Sequence, residues 1–209
     1  MIEIDQIHTI PNKLGWIFFH AIEDVIGHNG VNAVLHEAQI NNLLNLFPSD
    51  PIDLLFKYDQ LGKIMVAIEN IYGPRSGRGL ALRTGRACFK YIFQEYRPML
   101  GFTDKTFKLL PWNERINQVV CFLAQVFNTT NQQNVIVNVE STQLTWNIEH
   151  CAVCWERRTD EPVCYLFVGL IHEALYWMSS GKHFAIEETE CHAKGNASCK
   201  IVIIRHPLE

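Results

Sequence analysis

Five of the chain's seven cysteines, Cys151, Cys154, Cys164, Cys191 and Cys199, fall after His150, while Cys88 and Cys121 stand alone in the first part. This crowding constrains the fold more than any other feature. An odd number of thiols without a secretion signal is a poor disulfide framework, so the late cysteines are expected to ligate metal or be buried. Cys191 and Cys199 flank a turn containing Lys194-Gly195-Asn196. If the flanking segments pair as strands, their sulfurs meet and form a two-thiolate clamp. A structural zinc site takes four ligands, commonly thiolates completed by imidazole or carboxylate. Glu188 and Cys164 are the leading candidates for the remaining two positions, since Cys164 opens a helical pattern whose N-terminal dipole favours a thiolate. Cys151-x-x-Cys154, His150, Glu190 and His192 compete with them. Cys88 and Cys121 lie on apolar helical patterns and are read as core residues.

The rest of the chain supplies a globular frame. Its 209 residues are 48% hydrophobic and 19% charged, enough apolar content for a real core. A formal net charge of -4 argues against a nucleic-acid binder, whose affinity rests on Lys and Arg. No apolar run reaches the roughly 20 residues of a membrane span, and the first residues do not resemble a signal peptide, so a cytoplasmic protein is expected.

Hydrophobic spacing predicts a helix over Lys13–Ile26 stopped at Gly27, a shorter one over Val31–Glu37, and another over Gly62–Tyr72. Pro48, Ser49-Asp50 and Pro51 punctuate the chain between them. Gly73 to Gly79 reads as a loop, followed by a helix from Ala81 to Tyr96 whose polar face carries Arg83, Arg86 and Lys90. Ile116 to Phe127 is a further amphipathic helix. After Asn134 the period changes: Val135–Val139 and Leu144–Ile148 read as a hairpin. Val163 to Met178 is apolar nearly all round, hence a buried helix, and Phe184–Glu187 and Lys200–Ile204 are the last strands. Strands clustered around an inserted helix give an α+β class, with helices first and an antiparallel sheet after. The expected division is a helical segment, 1–109, and a domain over 110–209, forming one compact unit.

The run Glu188-x-x-Cys191-x-Ala193-x-Gly195-x-x-x-Cys199-x-Ile201, preceded by Cys164 and Gly169, resembles the 4-vinyl reductase domain family. That resemblance implies a TRAPP-subunit-like α+β fold, a homodimer, and a cavity for a hydrophobic or aromatic small molecule. By motif position it implies a structural zinc held by Cys164, Glu188, Cys191 and Cys199. It further implies a ligand such as a (bacterio)chlorophyll precursor, a role in bacteriochlorophyll biosynthesis as accessory or vinyl-reducing enzyme, or a scaffold role like that of vesicle-tethering relatives. The family's phenol sensors hold the phenol hydroxyl with an upstream histidine, and this chain has none between His36 and His150, so phenol specificity is not carried over.

Trp112, Phe122, Trp146, Trp155, Phe167, Ile171 and Trp177 are the expected pocket-lining residues, since small-molecule sites are largely apolar. No catalytic residue is assigned. Gly77-x-Gly79 lacks the third glycine of a dinucleotide fingerprint, and His172-Glu173 is not a zinc-protease motif because residue 176 is Tyr. Four protein ligands would also leave zinc no open position, so a binding protein is favoured over an enzyme.

Overall fold

The computed structural model describes residues 8–44, 56–100, 104–130 and 133–208. The Pro48–Pro51 punctuation lies outside them. A short strand β1 (Thr9–Ile10) pairs antiparallel with β2 (Phe56–Lys57) and brackets the first helix, α1 (Asn12–Glu37). Within α1, Gly27 takes φ 72° and ψ 165°, so the helix breaks at the residue where the hydrophobic pattern stops. Both pieces bury the expected face, with Ile17, Phe18, Ile22 and Leu35 in the core.

Helices α2 (Tyr58–Tyr72) and α3 (Pro74–Tyr96) are separated by Gly73 alone, at φ 81°. The loop expected over 73–79 is therefore helix. Pro74 sits in the first turn, where its missing N–H costs nothing. Gly77 is there for proximity, since an added Cβ would lie 2.9 Å from the Glu69 backbone on α2.

α4 (Asp104–Leu109) and α5 (Trp112–Thr130) lead into a four-stranded antiparallel sheet of β3 (Val135–Val139), β4 (Gln143–Ile148), β5 (Phe184–Glu190) and β6 (Cys199–Pro207), ordered β3-β4-β6-β5. Trp146 pairs with Ile201 and Ile148 with Cys199, so the buried residues of β4 and β6 share one face. Helix α6 (Tyr165–Met178) is inserted between β4 and β5 and buries most of its circumference. The class is α+β, and the buried apolar residues of both halves form one continuous cluster.

The tightest junction is α3 on α6. A Cβ on Gly85 would fall 1.9 Å from the Leu166 carbonyl oxygen, and one on Gly169 would fall 2.0 Å from that of Leu82. The two glycines let the backbones touch, with Cα–H groups facing carbonyl oxygens across the junction. Cys88 is buried as expected, but Cys121 is exposed. The reason is helical phase: Ile116, Val119, Val120 and Leu123 turn inward on α5, which puts Cys121 on the stripe shared with the exposed Gln125 and Asn128. No described helix is long and apolar enough to cross a membrane.

Candidate metal centre

Three segments converge below the N-terminus of α6. Cys164 immediately precedes that helix, and its backbone N–H donates to Glu188 Oε2 at 2.7 Å. Glu188 lies on β5 opposite Ile201, on the inward face of the sheet, and is buried. Cys191 follows β5, and its carbonyl accepts from the N–H groups of Lys194 (3.0 Å) and Asn196 (3.3 Å). Gly195 closes this turn at φ 94°, a left-handed conformation that favours glycine, and returns the chain to Cys199 at the start of β6.

Together these elements bring the sulfurs of Cys164, Cys191 and Cys199 into one cluster. Cys164 lies 3.9 Å from Cys191 and 3.7 Å from Cys199, and Cys199 lies 4.0 Å from Cys191. A tetrahedron with Zn–S bonds of about 2.3 Å has edges of about 3.8 Å, so the triad already has the dimensions of zinc ligands. With Glu188 it forms a set of four donors within 4.8 Å of one another. Glu188 Oε1 is buried and has no hydrogen-bond partner among the described residues, a costly state for an oxygen that a cation would relieve.

The loop after β4 adds two more sulfurs. Cys151 stands 3.4 Å from Cys164, and Cys154 stands 3.3 Å from Cys199. These four also lie within 4.8 Å of one another. The other sequence candidates are placed elsewhere. His150 is exposed with its ring 5.5 Å from that of His8, and Glu190 faces Lys200 at 3.5 Å. His192 contributes only its backbone N–H, which donates to Cys199 Sγ at 3.3 Å.

The electrostatics follow from burial. Desolvation pushes the thiols of Cys151 and Cys164 above the ordinary cysteine range, and Cys164 well above it. Cys154 moves the opposite way because the surrounding thiols, Cys151 foremost, donate to it. Burial also raises the Glu188 carboxyl against the stabilising Cys164 N–H. Dry, crowded thiols hold their protons unless a cation replaces them, and the donors here are soft sulfurs suited to zinc.

The expected pocket residues are dispersed. Phe122, Trp146, Phe167 and Ile171 are core residues, while Trp112, Trp155 and Trp177 are half-buried at its margins. Phe167 lines an interior apolar cavity of about 50 Å³ with Leu14, Phe18, Cys88, Ile92 and Leu170. Trp177 belongs to a separate open groove of about 450 Å³ between α3 and α6, walled by Phe89 and Phe93 and rimmed by Arg86, Lys90 and Glu173. The Trp177 and Phe93 ring centroids are 4.4 Å apart, and Arg86 Nε donates to Glu173 Oε2 at 2.7 Å. Sequence reasoning placed Trp177 in a pocket and the cations on a solvated helix face. It missed Phe89 and Phe93, whose i,i+4 spacing on α3 was the available signal.

Residues 144–205 match the family model of the 4-vinyl reductase domain expected from the cysteine motif, and all five clustered sulfurs lie within the match. Among curated proteins there is no match. The chain is similar in fold to solved H-NOX proteins. With one from S. oneidensis in the Fe(II)NO ligation state it shares 12% identity, a TM-score of 0.58, 93% of this chain and 99% of that chain. With an unliganded Fe(II) H-NOX point mutant from K. algicida it shares 13% identity, a TM-score of 0.58, 96% of this chain and 97% of that chain. An oxygen-binding H-NOX domain related to soluble guanylate cyclases gives 12% identity and a TM-score of 0.53 over 96% of this chain and 97% of that chain. The solved fold neighbours are thus H-NOX domains, α+β like this chain.

Proposed function

We propose that this chain is a zinc-stabilised binding or sensor module for an aromatic small molecule. The observation that carries the reading is the convergence of buried sulfurs with the orphaned Glu188 carboxylate. Cys164, Glu188, Cys191 and Cys199 would hold the ion, joining the N-terminus of α6 to β5 and β6. Zinc with four protein ligands has no open position, so its part is structural and no catalytic step is assigned.

Haem figures in two of the solved fold neighbours, but it does not suit the residues present here. The interior cavity of about 50 Å³ is far below a cofactor pocket's usual size of about 300–1,000 Å³, and no histidine lines it. Burial pushes its one thiol, Cys88, up to about 12, so that sulfur stays protonated. The Gly85–Gly169 junction brings backbone against backbone between α3 and α6.

The open α3–α6 groove has the volume that the interior lacks. Its aromatic wall and the rim cations Arg86 and Lys90 suit a flat apolar molecule bearing one acidic group. A tetrapyrrole precursor with a propionate belongs to that class, and its link to bacteriochlorophyll chemistry rests on the 4-vinyl reductase resemblance, as do the homodimer and the cytoplasmic setting.

Native mass spectrometry of freshly purified protein tests the reading, since it reports bound metal, subunit number and retained ligand together. Zinc-loaded protein that binds anilinonaphthalene sulfonate, and binds it several-fold more weakly after Trp177→Ala, is the expected result. Metal-free protein that ignores this aromatic sulfonate would overturn it.

A further inference from the structure

One zinc ion does not use the whole cluster. Six buried donors meet here, five sulfurs and one carboxylate, and they divide into two compact sets of four. Cys151, Cys154, Cys164 and Cys199 form one set, and Cys164, Glu188, Cys191 and Cys199 form the other. The sets have Cys164 and Cys199 in common. Two tetrahedra sharing one edge have this composition, with two donors at the shared edge and two terminal donors on each side.

We propose that the site is binuclear, with two divalent ions bridged by the thiolates of Cys164 and Cys199. Resting on the metal-bound reading above, this extends it by a second ion that Cys151 and Cys154 complete. The distance between the bridging sulfurs is 3.7 Å, against about 3.8 Å for the edge of a zinc–sulfur tetrahedron. The terminal sulfurs are placed on opposite sides of that edge. Cys151 approaches Cys164 at 3.4 Å and Cys154 approaches Cys199 at 3.3 Å, while Cys191 stands 3.9 Å and 4.0 Å from the two bridging sulfurs. All these separations lie within about 0.5 Å of the tetrahedral edge, a difference that side-chain rotation absorbs.

Charge and chain geometry favour two ions over one. With Cys164, Glu188, Cys191 and Cys199 on a single ion, Cys151 and Cys154 remain as buried thiols pressed against ligand sulfurs. Five thiolates and one carboxylate carry six negative charges, and two divalent ions cut the balance to -2, where one would leave -4. A bridging thiolate also places negative charge between the two cations, which limits their repulsion. The two-residue spacing of Cys151 and Cys154 is that of a chelating pair, and both side chains are buried with their sulfurs in the cluster. The His192 N–H donated to Cys199 Sγ at 3.3 Å further supports negative charge on a bridging sulfur.

The experiment is zinc stoichiometry on the full chain, by native mass spectrometry and elemental analysis after saturation with zinc and removal of excess. Two ions per chain are expected. One ion overturns the binuclear site while leaving the single-zinc reading standing, and none overturns both. The double variants Cys151→Ser/Cys154→Ser and Glu188→Gln/Cys191→Ser should each retain one ion. Unchanged content in the first would refute the second ion's ligand set. Because variants in a buried cluster can fail to fold, the bridge is read in the wild-type chain loaded with ¹¹³Cd. Two cadmium resonances split by each other through the shared sulfurs are expected. Two unsplit resonances would refute the bridge, and iron with acid-labile sulfide in the purified protein would refute the assignment altogether.

Discussion

Replacing Gly85 by Ala tests how the two halves of the molecule are joined. The added methyl carbon would lie 1.9 Å from the Leu166 carbonyl oxygen and 2.9 Å from the Leu170 nitrogen, whereas ordinary contact begins at 3.4 Å. Helix α6 must therefore retreat by about 1.5 Å, because the obstructing atoms are backbone and cannot rotate aside. Overpacking of a core contact costs about 1–3 kcal/mol, and a backbone obstruction belongs at the upper end. For a chain of this size about 3 kcal/mol lowers Tm by about 6–12 °C. Gly79 on the same helix is the control. It is exposed, and a Cβ there meets nothing within 4 Å, so Gly79→Ala removes backbone freedom from the unfolded chain and adds about 0.4–1 kcal/mol. Thermal melts followed by circular dichroism should shift in opposite directions for the two variants. A Gly85→Ala protein melting within about 2 °C of the parent would refute the close-contact argument.

Cys191→Ser or Cys199→Ser should release zinc and lower Tm by several degrees, because metal affinity is coupled to folding; elemental analysis and melting report the two effects. Arg205 ties β6 to the β3–β4 turn and to α5, donating to Glu140 O at 2.6 Å, Asn117 Oδ1 at 3.0 Å and Asn113 O at 3.2 Å. Arg205→Ala should cost about 2–4 kcal/mol in urea unfolding, since it orphans buried acceptors bonded by a charge. Burial raises the Cys88 thiol from 9.0 to about 12, so it stays neutral in the fold while its unfolded counterpart ionises above pH 9. Its contribution to stability is complete below pH 9 and is lost as pH rises toward 12, a decline that Cys88→Ala should remove from the stability–pH profile. In the native protein at pH 8, maleimide should label exposed Cys121 and spare Cys88, as peptide mapping would show.

The chain's local chemistry was legible in its order of residues. Apolar spacing marked α1 with its break at Gly27, the buried α6 and the β3–β4 hairpin, because period 3.6 and period 2 are imposed by backbone geometry. The Cys191–Cys199 turn was legible for the same reason, being a short connection with a left-handed glycine. Local reading failed where proximity governs: the glycines of 74–79 looked like a loop, yet Gly77 serves packing of α3 on α2. Cys121 looked like core because periodicity gives a face only to within a residue.

What the sequence determined alone was therefore the set of elements and the inventory of soft ligands, both properties of neighbouring residues. The tertiary structure decided which ligands meet. Cys151 and Cys154 join Cys164 and Cys199 because β4 and β6 pair with Ile148 opposite Cys199, and that register is fixed by burial of Trp146 against Ile201 far along the chain. It also decided that aromatic residues of α3 and α6 frame an open groove rather than an inner cavity. Two glycines 84 positions apart, Gly85 and Gly169, bring those helices into backbone contact, and contact at that separation leaves no trace in local pattern.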